Sequence, residues 1–245
     1  MAFYNCLLID SDGTLLDFDT AEETAFYNTM QHFDLPYTQD TFLLYREINN
    51  ALWASLEDGK IRQDKLLIER FRVLLDKLGE KGNAIDINKF YLDNLSLGGS
   101  TIQGADELLC ELAEVATIAV VTNGIEKVQN ARFKASGLDK YVDAIYVSER
   151  VGAAKPQRKM FDVALAELGV DNRKKVLVIG DSLRADVRGG INAGLDTCWC
   201  NFGNIENDTG IKPTHTVRGY EELMRVIMEE EELENVGSSE KRHRV

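Results

Sequence analysis

Asp10 and Asp12 close an apolar run, Cys6-Leu7-Leu8-Ile9, and are followed by Gly13-Thr14. Two carboxylates this close repel each other, and burying either one without a partner is costly. Asp and Gly are also ordinary turn residues, so the pair alone could lie in a solvated turn. Three further segments bear on the choice. "IAVVTNG" ends in Thr122 and Asn123, "SERVGAAKP" supplies Lys155, and "VLVIGDSLRAD" supplies Asp181 with Asp186 about one helical turn on. Each has a plain reading by itself: Asn123-Gly124 as a turn, Lys155 as a solvated lysine, Asp181 as a helix N-cap. Together they suit a magnesium ion and a phosphate. Asp10 and Asp181 would be hard oxygen ligands, and the cation would offset their repulsion. Side chains two apart in extended chain point the same way, so Asp10 and Asp12 can face one substrate. Thr122 and backbone N–H groups at a helix start would hold phosphoryl oxygens. Lys155 would neutralise charge on both the phosphate and a nucleophile.

The elements that must position these residues are legible as short β-branched runs. Phe3 to Ile9, Thr117 to Val121, Ala144 to Val147, Lys175 to Ile179 and Thr197 to Cys200 read as buried parallel strands. Helical patterns over Ala105 to Val115, Ile125 to Ser136 and Lys159 to Leu168 separate the later ones. This alternation predicts a doubly wound α/β sheet whose site lies at the carboxyl ends of the strands. About a hundred residues of a different character separate the first two strands. Thr20 and Glu23 suggest a capping box before a helix to about Phe33. Further helices are expected at Thr38 to Glu57, Gln63 to Leu78 and Ile87 to Leu95. The expected organisation is a sheet domain (1–16 plus 98–228), an inserted helical domain (17–97) and a polar tail (229–245).

Composition narrows the partners. The formal net charge of −13 disfavours polymeric nucleic acid and anionic membrane surfaces. No apolar run approaches a membrane-spanning length, and no basic region precedes the first apolar stretch, so a cytoplasmic protein is expected. Four cysteines without C-x-x-C spacing and three scattered histidines show no zinc pattern. There is no G-x-x-x-x-G-K-[ST], no G-x-G-x-x-G and no G-x-S-x-G, which argues against a P-loop, a dinucleotide fold and a serine hydrolase.

Asp10-Ser11-Asp12-Gly13-Thr14, Thr122-Asn123, Lys155-Pro156 and Gly180-Asp181 with Asp186 resemble, in order, the four motifs of the haloacid dehalogenase-like (HAD) phosphohydrolase superfamily. The helical insert resembles its C1 cap. "NNALW", Gly59 and Ile61, "VSERVGAAKP" and "RGGINAGLDTCWCN" are similar to the bacterial pyrimidine 5'-nucleotidases of the YjjG and YfnB type. That group often carries an acidic residue where this chain has Gly13.

The resemblance implies a Rossmann-like HAD fold and Mg²⁺-dependent hydrolysis of a small phosphate ester, a nucleoside 5'-monophosphate with pyrimidine bases preferred. It implies that Asp10 attacks phosphorus to form an aspartyl-phosphate, and that Asp12 serves as acid and then base. The Mg²⁺ ligands would be Asp10, the Asp12 backbone carbonyl and Asp181, with Asp186 behind them. Thr122, Asn123 and Lys155 would bind the phosphoryl group. In the insert, Trp53 reads as packed core, while Asn49 or Asn50 could face the leaving group. The alternatives are a sugar-phosphate phosphatase or phosphomutase on the same scaffold, or a non-catalytic phospho-accepting module. A 2-haloacid dehalogenase is disfavoured, because it needs neither a metal nor a second aspartate.

Overall fold

In the computed structural model, which describes residues 2–228, the apolar run before Asp10 forms β1 (Cys6–Ile9). The expectation for 229–245 lies outside the described residues. β1 pairs in parallel with β2 (Thr117–Thr122) on one side and β4 (Val176–Gly180) on the other. With β3 (Ala144–Val147), β5 (Asp196–Cys200) and β6 (His215–Val217), the sheet has the order β3-β2-β1-β4-β5-β6. The winding direction reverses between β1 and β4, so the crevice of a doubly wound sheet opens there. Ile9 lies level with Val120 and Ile179, which brings the residues following all three strands to one edge.

Both faces of β1 are buried, as an apolar run without alternation requires. Leu7 and Ile9 join one core with Leu108, Leu109 and Leu112 of α5 (Ala105–Leu112). Cys6 and Leu8 join the opposite core with Met160, Phe161 and Leu165 of α8 (Arg158–Glu167). The remaining sheet-flanking helices are α6 (Glu126–Ser136), α7 (Ser148–Val151), α9 (Arg188–Ala193) and α10 (Tyr220–Met228). Among the described residues no helix is long and apolar enough to cross a membrane. β6 is absent from the sequence reading because a three-residue strand with one buried side chain, Val217, leaves no pattern.

Between β1 and α5 lie α1 (Phe18–His32), α2 (Gln39–Glu57), α3 (Gln63–Leu78) and α4 (Ala84–Leu95). They share a separate core in which the rings of Phe26, Tyr45, Phe71 and Tyr91 pack together. α1 does not use the capping box expected at Thr20 and Glu23. Its cap is Asp17, whose carboxylate accepts from the Thr20 N–H at 3.1 Å and from the Thr20 hydroxyl at 2.6 Å. Thr20 is therefore a donor within the first turn, and the helix begins at Phe18. α4 likewise starts earlier than expected, because Asn83 accepts from the Ile85 N–H.

Candidate active site

Lys155 lies at the centre of the strand ends. Its ammonium donates to Asp10 Oδ1 at 2.5 Å, to the Val121 carbonyl at 2.7 Å and to Asp186 Oδ1 at 2.7 Å. All three donors of the group are thereby engaged. Burial works against the charge, but Asp10 and Asp186 outweigh it and hold the ammonium above the ordinary lysine range. Asn123 fixes the lysine backbone: its side chain donates to the Lys155 carbonyl (2.9 Å) and accepts from the Lys155 N–H (2.7 Å). The next peptide, Lys155–Pro156, is cis. Asp10 is held in turn because its N–H donates to Ile179 O at 2.8 Å, extending the β1–β4 pairing by one residue.

Asp10, Asp181 and Asp186 can bring one carboxylate oxygen each within 4.8 Å of one another. Asp186 is fully packed, with its second oxygen accepting from the Ser182 N–H at 3.0 Å. Burial, opposed by Lys155, pushes its carboxyl up to about 7. Asp181 opens on the cleft, yet desolvation and the neighbouring Asp10 and Asp186 raise it well above the carboxylate range. Three carboxylates facing one ammonium leave surplus negative charge on an all-oxygen donor set, which suits a hard divalent cation. Two glycines permit this crowding. A Cβ at Gly180 would meet the Asp186 carboxyl carbon at 2.2 Å, and one at Gly13, where φ is +76°, would meet Asp181 at 2.6 Å.

Asp12 is held by residues that the sequence reading missed. Gln129 Nε2 donates to its Oδ2 at 2.6 Å, and the Arg132 guanidinium pairs with its Oδ1. Ser11 Oγ completes the chain by donating to Gln129 Oε1 at 2.6 Å. Burial and the charge of Asp10 raise the Asp12 carboxyl, with Arg132 pulling the other way. Arg132 is completely buried and also donates to Gly98 O (2.7 Å) and Asp17 O (3.3 Å). Those two carbonyls lie where the chain leaves for the helical insert and where it returns. The available signal was the helical pattern itself. Gln129 and Arg132, three apart, share the face of α6 that buries Val128 and Phe133, and a buried arginine needs a partner.

Above these groups is a cleft of about 340 Å³, walled on the insert side by α2. Asn49 or Asn50, Trp53 and Glu57 recur every three to four residues, so one stripe of the helix lines it. Trp53 is therefore not packed core as its size suggested; the core stripe of α2 is Phe42, Tyr45 and Ile48, and Trp53 is half-buried at the cleft wall. Asn49 is anchored from behind, donating to Glu22 Oε1 (3.0 Å) and accepting from Arg70 (3.4 Å). Gln63 of α3 reaches across to donate to the carbonyls of Asn123 (2.9 Å) and Gly124 (3.2 Å). Thr122 Oγ1 accepts from the Gly124 N–H at 3.0 Å, which leaves its hydroxyl proton available to the cleft.

The chain resembles proteins of one family along most of its length. A model of the haloacid dehalogenase-like hydrolases matches residues 4–194. The HAD hydrolase YfnB of Bacillus subtilis is 36% identical over 227 residues, 93% of this chain and 97% of that protein. The pyrimidine 5'-nucleotidase PynA of Streptococcus pneumoniae is 36% identical, covering 91% of this chain and 94% of that one. The pyrimidine 5'-nucleotidase YjjG of Escherichia coli is 34% identical, covering 91% and 98%. The crystal structure of YfnB bound to magnesium superposes with a TM-score of 0.87, covering 91% of this chain and 98% of that one.

Proposed function

Because the chain belongs to the haloacid dehalogenase-like hydrolase family, we propose that it is a magnesium-dependent phosphate monoester hydrolase acting on nucleoside 5'-monophosphates, pyrimidine nucleotides foremost. The observation that carries this reading is a pair of differently held carboxylates at one strand end. Asp10 bonds a buried ammonium, and Asp12 bonds a buried guanidinium and an amide.

In this reading the Asp10 carboxylate attacks phosphorus, forming an aspartyl-phosphate as the bond to the leaving oxygen breaks. Protonated Asp12 delivers its proton to that oxygen, and the alcohol departs. The Asp12 carboxylate then takes a proton from water, the oxygen attacks phosphorus, and the Asp10–phosphorus bond breaks to release inorganic phosphate. Lys155 holds Asp10 in line and balances charge on the phosphoryl oxygens, while Thr122 donates to one of them. Asn123 contributes by fixing the Lys155 backbone. Asp10, Asp181 and the Asp12 carbonyl would hold the magnesium ion, with Asp186 behind them. Bound there, the ion supplies Lewis-acid polarisation of the phosphoryl oxygens. Residues 17–97 act as a cap that covers the leaving group, excludes water and selects it.

The test is phosphate release from uridine, deoxyuridine and thymidine monophosphates beside purine nucleotides and sugar phosphates, with Mg²⁺ and with chelator. Pyrimidine nucleotides should give the highest kcat/KM, and chelator should abolish turnover until Mg²⁺ is restored. A sugar phosphate ahead of every nucleotide by tenfold, about 1.4 kcal/mol at the transition state, would overturn the nucleotide assignment. Full activity in excess chelator would overturn the metal assignment.

A further inference from the structure

Glu57 ends α2 and borders the cleft on the insert side, on the same stripe as Trp53. It is half-buried and, among the described residues, its carboxylate has no hydrogen-bond or ion-pair partner. Of the other carboxylates lining the cleft, Asp181 at the phosphoryl end likewise lacks such a partner, but the rest are paired. Asp10 is opposed by Lys155, Asp12 by Arg132, and the adjacent Asp58 by Lys60 at 2.7 Å. Burial raises the Glu57 carboxyl above its ordinary range, with Lys155 and Arg184 pulling the other way.

A phosphoryl dianion and one divalent cation bring no net charge into the cleft. The lining carboxylates Asp10, Asp12, Asp181 and Glu57 then face Lys155 as the lining cation. Asp181 is at the phosphoryl end. Glu57 is on the helix that faces whatever the phosphate is attached to. A carboxylate can only accept hydrogen bonds, and across a few ångströms of partly dry cleft it repels another anion strongly.

We propose that Glu57 is a specificity-determining residue: it excludes phosphate esters whose leaving group is itself anionic, and accepts a hydrogen bond from a hydroxyl or N–H of an uncharged one. The inference rests on the phosphatase reading above and deepens it. Nucleosides are uncharged and rich in such donors; sugar bisphosphates, phosphorylated carboxylic acids and nucleoside diphosphates present a second anion to Glu57.

The experiment compares kcat/KM for two aryl esters of similar shape, 4-acetylphenyl phosphate and 4-carboxyphenyl phosphate, alongside uridine monophosphate. It uses the wild type, Glu57→Gln and Glu57→Lys, with melting temperatures to report folding. In the wild type the neutral aryl ester should lead. Glu57→Gln should narrow the neutral-to-anionic ratio by roughly tenfold, and Glu57→Lys should narrow it further or reverse it. The same ratio in all three proteins would overturn the proposal. So would a wild type that favours the anionic ester, drawn by Arg184 and Arg188, which line an adjoining pocket together with Glu57. If the aryl esters are hydrolysed and uridine monophosphate is not, the nucleotide reading fails while the ratio still decides the role of Glu57. A wild type that releases no phosphate from any ester would overturn both.

Discussion

Asp10 and Asp12 are separated by one residue, yet their surroundings hold them differently. Asp10 is bonded through one oxygen to an ammonium whose other donors are already spent; in the proposed reaction its second oxygen attacks phosphorus. Asp12 is held by both oxygens, through Arg132 and Gln129, at the edge of the cleft. Asp10→Asn should therefore form no aspartyl-phosphate and show no turnover. Asp12→Asn keeps an oxygen for Arg132 and should lower kcat by roughly 10²–10⁴-fold, the usual share of general acid–base catalysis. Trapping the phosphoenzyme by acid quench checks both, and near-normal turnover of Asp10→Asn would remove it as the nucleophile. The carboxylates and Lys155 were readable in the sequence because apolar strands that stop at polar residues announce a site at the sheet edge. Gln129 and Arg132 were not singled out, because an amide and a guanidinium inside a helix usually signify a solvated face. Only the third dimension shows that this face is turned towards Asp12.

At the scale of elements, α2 shows most clearly what periodicity does and does not carry. Its bounds were readable almost to the residue, because Thr38 caps it and the apolar spacing is regular. Which of its stripes meets the insert's core was not. Phe42, Tyr45 and Ile48 go inward, and Trp53 goes to the cleft. Trp53→Ala should consequently raise KM for uridine monophosphate by about tenfold, the upper range for one lost aromatic contact, and by much less for p-nitrophenyl phosphate. Equal increases for both substrates would mean that the tryptophan serves α2 itself. The N-terminus of α1 misled for a related reason: Thr20 and Asp17 are both good capping residues, and the choice between them depends on where the chain turns away from the sheet.

Among the described residues, apolar cores cover both faces of the sheet and a separate one fills the insert, which also buries ionisable groups. Glu22 is buried there beside Asn49, and burial pushes its carboxyl up to about 7 despite Arg46 and Arg70. A carboxyl that binds its proton more tightly when folded adds stability at low pH and loses it as pH rises from the unfolded value through the folded one. The contribution of Glu22 should thus fall between about pH 4.5 and pH 7 by on the order of 3 kcal/mol. Denaturant melts of the wild type and Glu22→Gln should show the variant gaining on the wild type across that window; parallel curves would place the glutamate in contact with water. The chain passes between sheet and insert at a neck, and there Arg132 gathers the carbonyls of Asp17 and Gly98 together with Asp12. That has a consequence for modularity. Seen as a linear insertion, the helices look transplantable by cutting at both ends of the neck. Arg132 belongs to the host, however, so a graft onto another sheet scaffold would arrive with both neck carbonyls unbound and the host aspartate unattended. To travel with its neck intact, the insert must be matched to a recipient that already carries an arginine where Arg132 stands, on the helix equivalent to α6.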